Sequence, residues 1–115
     1  VKNRAGKFVT PSLKSVTAAA AGYAKQMPDD FRIVITDANG EDAYPISGMT
    51  WLLVYEKQKD VEKGKKLVHF MDWMLHDGQK LAPDLQYAPL PEAVVAKEMQ
   101  ALRKITDTEG KPLPN

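Results

Sequence analysis

Residues 50–55 read Thr50-Trp51-Leu52-Leu53-Val54-Tyr55, one threonine followed by five apolar side chains. An unbroken apolar run of this length predicts a strand buried on both faces, as in the sheet of an α/β protein. Working back, Phe31-Arg32-Ile33-Val34-Ile35-Thr36 is rich in β-branched residues and predicts a second strand. Between the two, Asn39-Gly40 is a strong turn signal. Pro45 bars a central strand over residues 41–46 and keeps Tyr44 extended.

Helices are expected on both sides. Thr10 is the predicted N-cap and Pro11 the first helical position of a helix over residues 11–25. Leu13, Val16, Ala20 and Tyr23 recur at helical spacing, and Pro28 ends the segment. Asp60 predicts the cap of a second helix running to about Asp77. Its stripe of Val61, Gly64, Val68, Met71 and Leu75 is widened by Leu67, Phe70 and Met74, so it belongs against a sheet or between two elements. Pro91 predicts the start of a third helix, with Val95, Met99 and Leu102 on one face. Residues 79–90 read as irregular, and the tail from Thr106, with Gly110, Pro112 and Pro114, as a surface strap or a frayed end.

The expected class is therefore α/β, with about three helices and two main strands. Two strands are few for so much apolar surface, since a two-stranded sheet is marginal in water. The sheet reads as incomplete within this chain, its partners coming from preceding sequence or from another copy. The chain opens on Val1 and not on methionine, so it reads as a processed product or part of a longer protein. Composition is that of a folded domain, with 43% hydrophobic and 27% charged residues. A net charge of +1 carries no bias toward nucleic acid or anionic membrane. The lack of cysteine removes disulfides, thiolate chemistry and cysteine zinc sites. No apolar run is long enough to span a bilayer, and no signal peptide is visible.

Candidate chemistry is thin. His69, Asp72 and His76 can share a face of the second helix, and a His/Asp/His set could hold zinc. The simpler reading pairs Asp72 with His76 on a solvated face. Glu41 and Asp42, near Asp37, are adjacent in an extended stretch and point to opposite sides, unlike an acid/base pair facing across a cleft. Ser12, Ser15 and Ser47 sit in no G-x-S-x-G elbow. No glycine-rich phosphate loop occurs, Arg4-Ala5-Gly6-Lys7 is too short to count, and the Thr10-Pro11-Ser12 helix start is no more anion-binding than any other. Lys57, Lys59, Lys63, Lys65 and Lys66 lack interleaved aromatics, which favours a solvated face over a nucleic-acid surface. No cofactor is expected, and the residues point away from an enzyme.

Three stretches together resemble one family. They are Asn3-Arg4-Ala5-Gly6-Lys7-Phe8-Val9 leading to Pro11-Ser12, and Gly40-Glu41-Asp42-Ala43-Tyr44-Pro45-Ile46 leading to the apolar run Trp51 to Tyr55. The third is Phe70 to Trp73, leading through His76-Asp77-Gly78-Gln79 to Tyr87-Ala88-Pro89-Leu90-Pro91. In this order and spacing they are similar to the C-terminal part of bacterial phosphate-binding receptors of ABC transporters. The resemblance implies a piece of a two-lobed, hinged type II periplasmic-binding-protein fold that closes on inorganic phosphate and delivers it to an inner-membrane permease. It implies a periplasmic or cell-surface location. It places residues 1–38 at the end of the second lobe (strand, helix, strand), 39–46 at an inter-lobe crossover, and 47–115 in the C-terminal part of the first lobe. The family's phosphate ligands lie in earlier sequence, so no ligand-binding residue is expected here and the chain alone is not expected to hold phosphate. The alternative expectation is a protein–protein interaction or self-associating module derived from such a receptor, its sheet completed by a complementary chain.

Overall fold

The first long helix is capped two residues later than Thr10 would place it. The computed structural model describes residues 1–113, and in it α1 spans Leu13–Tyr23 with Ser12 as N-cap. The Ser15 N–H donates to the Ser12 hydroxyl at 3.1 Å, and the Ser12 N–H donates to the Ser15 hydroxyl at 3.0 Å. This reciprocal pair satisfies two otherwise orphaned donors, an advantage that Thr10 lacks because Leu13 stands three residues on. The helix ends in a 3₁₀ turn at Ala24–Gln26.

The middle of the chain departs most from expectation. Residues 31–35 and 51–55 are not paired in any ladder, so neither expected strand is formed as a strand, and residues 1–10 form only a turn closed by an isolated Lys2–Phe8 bridge. The apolar runs are real, but a strand exists only when a neighbour supplies its hydrogen bonds, and none within residues 1–113 does. The two strands present lie elsewhere. β1 (Lys57–Gln58) pairs in parallel with β2 (Thr106–Asp107), with Lys57 opposite Thr106. Among the described residues the structure is thus three α-helices with a minimal parallel sheet.

Between β1 and β2 run α2 (Val61–Leu75) and α3 (Glu92–Leu102), joined by 3₁₀ turns at Asp77–Leu81 and Pro83–Leu85. Asp60 caps α2 as expected, accepting from the Lys63 N–H at 3.0 Å. Pro91 is the N-cap of α3 and not its first helical residue. Of the expected face of α3, Leu102 is buried, Met99 packs against the core and Val95 is partly covered, while Val94 is buried in addition. The tail is pinned and not frayed. The Thr106 N–H donates to the Glu56 carbonyl at 2.8 Å, and Leu113 is buried against Val68, Leu102 and Ile105. Pro114 lies outside the described residues.

Two separate apolar centres result. Ala19, Ala38 and Ala43 form one between α1 and the following loop, and Val68, Leu102, Ile105 and Leu113 the other. A 115-residue domain with one core has a radius of gyration of about 13 Å. This chain has 16.0 Å and measures 51 × 28 × 18 Å, so it is elongated around a face that its own residues do not fill. Among the described residues no helix is long and apolar enough to cross a membrane.

Candidate functional site

The chemistry-bearing side chains are mostly consumed by the fold. His76 ends α2, with Nδ1 at 3.0 Å from the Asp72 carboxylate and 2.8 Å from the Asp72 carbonyl, while His69 is exposed about two turns earlier. Among the described residues no three His, Cys, Asp or Glu side chains are placed to hold a metal. Ser12 and Ser15 cap each other, which also occupies the α1 N-terminus. The Ser47 hydroxyl donates to the Tyr44 carbonyl at 2.7 Å. Glu41 and Asp42 are exposed on their loop, and Asp37 pairs with Arg4 at 3.3 Å. Lys65 pairs with Glu62 at 2.9 Å, and Lys57, Lys59, Lys63 and Lys66 are exposed.

Sequence reasoning missed the role of Asn3. Its carboxamide is buried and donates to the carbonyls of Gly40 (3.1 Å), Glu41 (2.8 Å) and Ala43 (3.1 Å), while its oxygen accepts from the Lys7 N–H at 3.0 Å. The loop at 37–47 is further tied by Asp37 N–H to the Pro45 carbonyl and by Tyr44 N–H to the Ser15 carbonyl. The stretch from Gly40 to Ile46 is therefore docked on the N-terminal turn and α1. No signal short of the fold reveals this, because the partner is a set of backbone carbonyls some 40 residues away.

A cleft of about 970 Å³ lies between α1, residues 48–51, the end of α2 and the 3₁₀ turns. Val16, Ile35, Trp51, Phe70, Trp73 and Leu85 give its apolar character. Phe70 and Trp73 stack with ring centroids 5.7 Å apart. Its few polar groups are mostly committed. The Thr17 hydroxyl donates to the Pro89 carbonyl at 2.8 Å, and the Gln79 side chain bridges the Met74 carbonyl and the Leu90 N–H. Glu98 lines the cleft half-buried, and burial pushes its carboxyl above the usual 4.5. An anion such as phosphate needs convergent donors, and this cleft offers apolar walls and a carboxylate instead.

Next to the cleft, Leu52, Leu53 and Tyr55 expose their side chains, while Val54 between them packs against the Val68 core. Leu53 is 97% and Tyr55 86% exposed, and Trp51 is held by a hydrogen bond from Nε1 to the Phe31 carbonyl at 2.9 Å. Large apolar patches of this kind mark surfaces that bind other polypeptide. The segment lies outside any ladder and beside the apolar cleft.

No protein-family model matches the chain. Known proteins do. The phosphate-binding protein PstS of Xylella fastidiosa strain Temecula1 is 39% identical over 101 residues, covering 88% of this chain and 28% of that protein. PstS of Pasteurella multocida is 31% identical over 114 residues, covering 98% of this chain and 33% of the relative. PstS of the archaeon Methanocaldococcus jannaschii is 35% identical over 121 residues, covering 93% and 30%. This chain spans about a third of the length of these relatives.

Proposed function

This chain belongs to the phosphate-binding protein family as one segment of it, and from that premise we propose that it is the C-terminal portion of an extracytoplasmic receptor feeding inorganic phosphate to an ABC permease. Residues 1–38 close the second lobe, 39–46 cross between lobes, and 47–115 return to the first lobe. The phosphate ligands lie in the preceding sequence, so the segment supplies architecture and not the anion site. The observation that carries this reading is the pairing of a near full-length match with an unladdered apolar run at Trp51–Tyr55, where a relative three times longer has sequence to spare.

Titration calorimetry with inorganic phosphate tests it. The isolated chain is expected to give no binding heat. The same chain joined to the preceding two thirds of the Xylella fastidiosa relative is expected to bind. Micromolar binding by the isolated chain, or none by the joined one, overturns the proposal.

A second reading draws on the same bare segment: a self-associating module in which another copy covers residues 51–55. Light scattering distinguishes the two. A monomer that dimerises only weakly and docks the complementary segment supports the receptor reading, and a tight homodimer supports the module.

A further inference from the structure

The turn at Asn39-Gly40 combines three features that together expose it to covalent change. Asn39 and Gly40 are both exposed. Gly40 has φ +131°, a backbone conformation open to glycine, and it brings no side chain to shield its own nitrogen. Among the described residues no hydrogen bond engages the Gly40 N–H or the Asn39 carboxamide, although the carbonyls around them are held. The attacking nitrogen and the target carbon are thus neighbours in sequence, wet, and uncommitted.

We propose that Asn39 is a spontaneous modification site, and that its conversion releases the 37–47 loop from Asn3 and α1. The chemistry is intramolecular. Solvent base removes the Gly40 amide proton, and the nitrogen attacks Cγ of Asn39. A C–N bond forms, and Nδ2 takes a proton and leaves as ammonia, closing a succinimide. Water then opens the ring at either carbonyl, giving aspartate or isoaspartate. Isoaspartate inserts a methylene into the main chain.

That insertion falls where the structure has least room. The Asn39 carbonyl lies so near α1 that a Cβ on Gly22 would sit 2.5 Å from it. One residue on, Gly40 and Glu41 present the carbonyls that Asn3 grips. The new carboxylate also joins Asp37, Glu41 and Asp42 on the same loop, and repulsion among them opposes redocking. The formal net charge falls from +1 to zero.

The full 115-residue chain is incubated in mildly alkaline, ammonium-free buffer and followed by intact mass, ion exchange and peptide mapping with isoaspartyl methylation. Conversion is expected at Asn39 and not at Asn3, at a native rate within about tenfold of the rate in denaturant, because the exposed Gly40 N–H carries no hydrogen bond that must break before it attacks. An Asn39→Gln variant is expected to resist. Hydrogen exchange of the purified isoaspartyl form is expected to speed up at the Asp37 and Tyr44 amides and stay unchanged in α2. A native rate slower than the denatured one by about a hundredfold or more overturns the site, since it means the turn is closed to attack. Unchanged exchange at Asp37 and Tyr44 overturns the release.

Discussion

Asn3 and Ala43 are joined by a buried hydrogen bond of 3.1 Å, from the Asn3 carboxamide to the Ala43 carbonyl. Two further carbonyls share the same donor group, so the side chain works as a staple on the turn around Gly40. Asn3→Ala strands the buried Ala43 carbonyl and is expected to cost about 2 kcal/mol by urea unfolding. Asn3→Asp is expected to cost more at neutral pH, because it turns acceptors toward acceptors. Its deficit narrows as pH falls, when the protonated carboxyl regains one donor.

Gly64 is the contact point between α2 and the tail. A Cβ there would stand 2.7 Å from Leu113 Cδ1 and 2.9 Å from Gln58 Cβ. Gly64→Ala gains about 1 kcal/mol of helix propensity. It also overpacks the joint, which costs about 1–3 kcal/mol. The expected outcome is net destabilisation by urea unfolding and faster exchange at the Thr106 amide, the donor in the β1–β2 ladder. Leu113→Ala relieves the clash but is expected to cost about 2–3 kcal/mol by itself.

Glu98 sets a pH dependence of definite sign. Burial raises its carboxyl above 4.5 in the folded chain, so the folded state holds its proton more tightly than the unfolded state. Between the unfolded value and the raised folded value, stability therefore falls as pH rises, and the loss is complete above the folded value. Glu98→Gln is expected to be more stable than the wild type at neutral pH and to flatten thermal unfolding across that window. A variant no more stable at pH 7 than at pH 4 relative to wild type counts against the burial of this carboxyl.

Local signals placed the helices because the interactions that define them are local. Asp60 capping α2 could be read directly, since the cap and its partner lie within one turn, and Pro91 marked the entrance of α3 one position early through its fixed φ. Thr10 was outcompeted by Ser12 because a serine and not a glutamate completes the box at Ser15, a pattern weaker in sequence than in space. The parallel pair of Lys57 and Thr106 joins residues 49 apart through backbone alone, so nothing in its side chains announces it. The cleft was legible only as an excess of apolar positions, chiefly Phe70, Met74 and Trp51, and its location needed α1 and α2 to be set beside each other. Segments 31–36 and 50–55 have strand-like composition and no ladder, which separates what propensity specifies from what pairing supplies.

The bare segment yields the sharpest test of what covers it. Full burial of a leucine side chain is worth about 1.5–3 kcal/mol, and Leu53, 97% exposed, contributes almost none of it in this chain. Leu53→Lys is therefore expected to leave the urea midpoint of the isolated chain within about 0.5 kcal/mol of the wild type. Docking is where the substitution acts, because a lysine carried into an apolar interface must be desolvated. Titrating the complementary two thirds of the Xylella fastidiosa relative, followed by Trp51 and Trp73 emission, is expected to show binding weakened by at least about tenfold, since 1.4 kcal/mol suffices for that factor. Glu56→Gln controls for charge alone, because it adds the same single positive charge at an exposed side chain whose backbone is already engaged with Thr106. Equal weakening by both variants points to long-range electrostatics. Weakening by Leu53→Lys alone identifies residues 51–55 as the strand that the rest of the family's sheet receives.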